Sequence, residues 1–276
     1  MSSVSNGLMC HFEEQPLTRT RGQLQAKHVP LLAAFLGVSS ILVPVLSHIA
    51  QGRQPPYPTI SMTAYMPGSF EYFVFASGLC TTASLLILTA IIVRWRLGVS
   101  GYLAFISHSA ANVAALGLAV TSVVPLQPNI MDVLALPRAE RKMTTQSNIH
   151  SWAANIFFLS SLVHALTMTV MLLQYKSRKN PIVCDTSMRI KALTTFLSFF
   201  FIASPLLLFM YPRIIKGSRV TVVALNQYGA IMCLLAFYAT YYVDLKGYQV
   251  CLKPSSSVPP DSKSGGYKDD CGDKED

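Results

Sequence analysis

Long apolar runs alternate with short polar segments along this chain, and the alternation is regular enough to predict its elements. The runs lie at 29–50, 72–93, 102–125, 151–174, 191–211 and 221–243. A helix needs about 20 consecutive apolar residues to cross the hydrocarbon core of a bilayer. The pattern therefore predicts an all-α, polytopic membrane protein with six transmembrane helices. Polar or proline-bearing segments follow the runs, among them "RWRLG", "LPRAERK" and "YPRIIKGSR". Three parts result: an N-terminal segment 1–28, a membrane domain 29–250 with a long first loop at 51–71, and a tail 251–276. The tail is rich in Ser, Pro, Gly and Asp with no apolar face, and is expected to be disordered. Residues 1–28 are polar, and the first run is too long for a signal-peptide core, so it reads as an anchor helix.

Composition agrees with lipid as the solvent. Hydrophobic residues make up 51% of the chain and charged ones 13%, against about a quarter charged in soluble domains. The net charge of +9 does not point to nucleic acid, because the basic residues sit in the segments between apolar runs. There they serve topology and lipid headgroups. With six spans, the side holding both termini carries 15 Lys and Arg, and the other side carries 7. The positive-inside rule then places both termini in the cytosol and the 51–71 loop on the lumenal face. The six cysteines form no C-x-x-C pair, so neither a zinc site nor a disulfide framework is expected. Cys184 and Cys251 lie near membrane borders, where palmitoylation occurs.

Polar groups inside a bilayer are costly and each needs an account. Near the lumenal ends of the runs lie His48, Glu71, His150, Asn155, Asn226 and Gln227. Nearer the cytosolic ends lie His108, His164 and Asp244, with Asn112 between the groups. His150 and His164 share one helix and nearly one face, but about 21 Å of helix separates them. His108 and Asn112 are an i, i+4 pair. The plain reading of such residues is interfacial placement for His150, and helix-to-helix hydrogen bonds for His108 and His164. Small residues at 107, 110, 111, 114 and 115 read as a close-packing face. No G-x-S-x-G, H-E-x-x-H or P-loop is present. His48, Glu71 and His150 share a border, but no spacing forces them into a metal site, and no metal or cofactor is expected. The absence of acidic and basic residues deep within the runs speaks against ion conduction.

The first loop contains "PPYPTISMTAYMPGSFEYF", rich in proline and aromatic residues. It resembles the signature of the FRAG–DRAM–Sfk family of six-span membrane proteins, with Pro58, Ile60, Ser61, Thr63 and Pro67 in matching places. "NIHSWAANIFFLSSLVHALTMTV" resembles span four of the branch that contains the post-GPI-attachment-to-proteins factor, through His150, Ser160, Ser161 and His164. "ALNQYGAIMCLLAFYATYYVDLKGYQ" is similar to the family's last span, through Asn226, Gln227, Tyr228 and Asp244. The chain departs from that branch in span two, where it has "GLCTTASLL", and in span three at Ala114 and Ala115.

The resemblance implies a role in lipid remodelling of glycosylphosphatidylinositol (GPI) anchors, in which a lyso-anchor is reacylated on the lumenal leaflet. Residence in Golgi or ER membrane follows from the same branch. Its partners are then membrane lipids and GPI-anchored proteins, with no nucleic acid. The resemblance leaves open whether the chain is itself an acyltransferase or assists one. On this reading Ser61, Thr63, Glu71, His150, Asn155, Asn226 and Gln227 line a cleft for a lipid headgroup, and His150 is the candidate base. His108, Asn112 and His164 form an intramembrane polar group. Other branches imply a different role, a non-enzymatic regulator of autophagy or phosphoinositide organisation at the lysosome or plasma membrane.

Overall fold

The computed structural model describes residues 24–53, 58–98, 101–127, 142–177, 184–210, 219–246 and 249–250, with single positions at 130, 133 and 140. The expected disordered tail 251–276, Cys251 and most of the N-terminal segment lie outside these described residues.

Six long helices carry the fold: α1 (His28–Ala50), α2 (Phe70–Leu97), α3 (Tyr102–Val123), α4 (Thr145–Ser177), α5 (Asp185–Met210) and α6 (Arg219–Ala239). A short α7 (Tyr241–Asp244) continues α6 past a break at Thr240. By length and composition, five stretches among the described residues are apolar enough to cross a membrane: His28–Ala50, Phe70–Leu97, Tyr102–Val123, Thr145–Gln174 and Thr221–Asp244. Two helices start earlier than the apolar runs suggest, α4 by six residues and α5 by six, because their first turns are polar.

Local chemistry sets the helix ends. Ser69 caps α2, its hydroxyl accepting from the Tyr72 N–H at 3.1 Å, and Glu71 in the first turn favours the positive end of the helix dipole. At the other end Gly98 takes a left-handed φ of 57°, a conformation that costs glycine nothing. Thr144 caps α4 by accepting from the Ser147 N–H at 3.2 Å.

The helices form a closed ring. Each packs on its neighbours in chain order, and α6 returns to pack on α1. The backbones of α3 and α4 approach closely. A Cβ on Gly117 would come within 2.9 Å of the Ala153 carbonyl oxygen and the Phe157 nitrogen, so only glycine lets these backbones meet. Ser107, Ala111, Ala114 and Ala115 are buried on the same helix. In lipid, where apolar burial alone does not drive helices together, small residues that admit dense packing do that work. Large apolar side chains such as Phe35, Leu46, Phe105, Trp152 and Phe196 face outward, as suits a chain whose solvent is hydrocarbon.

Two features close the ring at its ends. At the end where the first and last described residues meet, β1 (Leu24–Gln25) pairs antiparallel with β2 (Gln249–Val250), Leu24 opposite Val250. At the opposite end, residues 58–69 of the first loop fold back over the helices. A 3-10 turn (Ile60–Ala64) buries Ile60, Met62, Thr63 and Ala64 against α1, α2 and α6. We refer to these as the terminal end and the loop end.

Candidate functional site

The loop end holds most of the polar residues singled out by the sequence, and the structure joins only some of them. His150 lies in the second turn of α4 and is 4% exposed. Its Nδ1 is 2.5 Å from the carbonyl oxygen of Val124. Val124 ends α3 in an extended conformation (φ −96°, ψ 103°), so its carbonyl has left the helical ladder and needs a donor. Its Nε2 is 2.8 Å from Ser61 Oγ in the 3-10 turn of the first loop.

These two contacts decide where the protons are. A carbonyl oxygen only accepts, so Nδ1 carries the hydrogen and donates it to Val124. In the neutral ring Nε2 is then the free lone pair, and the Ser61 hydroxyl donates to it. A hydroxyl hydrogen-bonded to a histidine whose far nitrogen is held by a third group is the arrangement that activates a nucleophile. Ser61 itself is half-buried, whereas the base behind it is buried.

Neighbouring contacts fix the ring. Ser147, one turn before His150, accepts from the Gln127 N–H at 2.9 Å, and the Gln127 carboxamide oxygen accepts from the Thr144 N–H at 2.8 Å. Together they pin the segment after α3 to the start of α4. The loop is anchored as well. Tyr228 on α6 donates its hydroxyl to the Pro58 carbonyl at 2.8 Å, and Thr63 donates to the Ile60 carbonyl at 2.7 Å within the turn.

Glu71 sits at the same end in its own clamp. Its carboxylate accepts from Ser47 at 2.7 Å and Gln51 at 2.9 Å, both on the last turn of α1 or just past it, with Arg53 at 4.0 Å. Asn226 accepts from Ser204 at 2.5 Å and donates to the Val222 carbonyl at 2.9 Å, tying α5 to α6. Gln227 is half-buried beside it. Asn155 is exposed on the outer face of α4, away from Ser61 and His150. An open groove of about 740 Å³ runs along the first turns of α2 at this end, walled by Phe70, Tyr72, Phe73, Ala76 and Cys80, and reaches Val123 at the end of α3. It stops at the residue next to the carbonyl that holds His150.

Toward the terminal end lies a second polar group that the sequence reading found only in part. His164 donates from Nδ1 to the Ser107 carbonyl at 2.9 Å and accepts at Nε2 from the Tyr241 hydroxyl at 3.1 Å. Its ring stacks on Tyr238, centroids 5.4 Å apart. The Lys191 ammonium lies 4.4 Å from the centre of the Tyr241 ring and pairs with Asp244. It also donates to Ser187 and Thr240. Lys191 is fully buried, although by sequence it counts as a charge of the loop before the fifth run. Two i, i+4 pairs, Ser187 with Lys191 and Thr240 with Asp244, were the signal that marks it. His108 and Asn112 are 3.2 Å apart on α3 and stand beside this group.

Among proteins of known kinship, the family model described as the Frag1/DRAM/Sfk1/Cwh43P N-terminal domain matches residues 25–248, most of the chain. No curated relative and no solved structure matches it.

Proposed function

The chain belongs to the Frag1/DRAM/Sfk1/Cwh43P family, and from that premise we propose that it supports the reacylation of lyso-GPI anchors at its loop end. The excess of basic residues on the side of the termini supports a cytosolic terminal end and, with six spans, a loop end at the lumenal leaflet, where the anchors lie. The observation that carries the reading is the hydrogen bond from Ser61 to a His150 ring whose tautomer Val124 fixes. Acyl transfer needs a base at the reacting hydroxyl, and His150 offers one with its proton-accepting nitrogen already directed at the Ser61 hydroxyl. The surrounding loop, held by Tyr228, supplies a stiff border at the depth of lipid headgroups.

Anchor lipids from cells lacking this protein test the reading. Lyso-anchors accumulate, or GPI-anchored proteins are shed, and the wild-type chain restores diacyl anchors while His150→Ala does not. Unchanged anchors in the deficient cells overturn it.

A further inference from the structure

We propose that Ser61 is the nucleophile of this site and carries the acyl chain as a serine ester between two lipids. The proposal rests on the reading of the loop end as an acyl-transfer site and adds to it the covalent step and the class of donor. A base alone would act on the hydroxyl of the acceptor lipid. Here the base is already occupied by a hydroxyl of the chain itself, at 2.8 Å and in the donor orientation. Ser61 is also the residue of its turn whose side chain has no structural duty elsewhere. Thr63 spends its hydroxyl on the Ile60 carbonyl, and Ile60, Met62 and Ala64 are buried as packing.

The donor class follows from placement. The pair lies at one end of a bundle whose outer faces are apolar, within reach of lipids of that leaflet. The groove is apolar along Phe70, Phe73 and Ala76. Its volume of about 740 Å³ lies along α2 and opens on the outer side, where Phe70 and Phe73 are exposed, as an acyl chain entering from lipid requires. A diacyl phospholipid fits both facts, with one acyl chain in the groove and its ester carbonyl at Ser61.

The chemistry balances without a further reactant. Ser61 Oγ attacks the ester carbonyl carbon of the donor as its proton passes to His150 Nε2. The bond from that carbon to the donor glycerol oxygen breaks, and the departing oxygen takes the proton from Nε2, leaving a lysophospholipid. The free hydroxyl of the lyso-anchor then gives its proton to Nε2 and attacks the acyl carbon. Oγ leaves and recovers the proton. One ester forms for each ester broken, and no oxidant or reductant is involved. Throughout, Nδ1–H stays on the Val124 carbonyl, which orients the ring and supports the imidazolium.

A long-chain alkyl fluorophosphonate, which mimics the ester and loses fluoride to an activated serine, tests the step on the full-length chain in membranes. Ser61 is the residue labelled, by mass spectrometry of its peptide. Labelling is abolished in Ser61→Ala and falls at least tenfold in His150→Ala. In deficient cells Ser61→Ala fails to restore diacyl anchors, whereas Ser61→Cys restores them in part and accumulates a hydroxylamine-sensitive thioester. Because Ser61→Cys keeps the loop and a nucleophile, it separates lost chemistry from lost folding. If Ser61→Ala restores anchors while His150→Ala does not, the serine ester is overturned and the site remains a base acting directly on lipid. If both variants restore anchors, the acyl-transfer reading fails with it.

Discussion

Two histidines on α4 share the same wiring and have opposite surroundings. Each donates from Nδ1 to a backbone carbonyl of the α3 segment, Val124 for His150 and Ser107 for His164. Each accepts at Nε2 from a hydroxyl. At the terminal end that hydroxyl belongs to Tyr241, 1% exposed, with the ring stacked on Tyr238 and a buried ammonium close by. At the loop end it belongs to Ser61, a half-buried residue on a turn. The wiring alone therefore does not make a reactive site. Access to the hydroxyl does, and a buried phenol beside Lys191 serves instead as a joint between helices.

Replacing each histidine is the sharpest way to break the comparison. His150→Ala lowers acyl transfer by about 10²–10⁴-fold, the range contributed by a positioned base, while the protein still purifies as a folded species. His164→Ala shows the reverse, a lower thermal midpoint with the residual activity of whatever fraction folds. If His164→Ala abolishes transfer in protein of unchanged stability, the two sites are not distinct. Lys191→Ala comes next. It leaves Asp244 without its cation in a largely buried place, at a cost of about 3–5 kcal/mol, read as loss of monodisperse protein on heating in detergent. Changing Lys191 and Asp244 together to apolar residues recovers most of that stability.

Tyr228→Phe has a smaller effect. It removes the donor to Pro58 and costs about 0.5–1.5 kcal/mol, concentrated in the loop. Faster proteolysis within 58–69, together with a several-fold loss of transfer, is the expected result, because Ser61 loses part of its support. The mildest probe uses Cys184, exposed just before α5. The Ser187 backbone N–H foremost, then that of Thr186, hold its thiol below the ordinary value. A membrane-impermeant maleimide thus keeps reacting with Cys184 at a pH where an ordinary thiol has slowed. Labelling from the cytosolic side supports the orientation used above, and labelling from the lumenal side reverses it.

The helices were legible because hydropathy over about 20 residues is a strong signal, and the first loop stood out by its prolines and aromatics. The Ser61–His150 contact was not, since 89 positions separate the two residues and only ring closure of the bundle brings them together. Asn155 is grouped with His150 by depth alone, without regard to azimuth. Five residues past His150 it lies about 140° round the helix, which puts it on the outer face. Lys191 was hidden by a boundary. With α5 starting at Asp185, it sits inside the helix, and its ammonium reaches Thr240 and Asp244 on a segment that follows it by some fifty residues.

The two-residue pairing of Leu24–Gln25 with Gln249–Val250 has a consequence for the whole chain. Helices that follow one another in sequence also follow one another in space, and this pairing puts the point of entry beside the point of exit. The membrane domain is a circle that the ribosome makes as a line. A covalent link between those strands, with a new opening cut in an exposed turn elsewhere, leaves every helix its original neighbours, the condition under which permuted chains keep their fold.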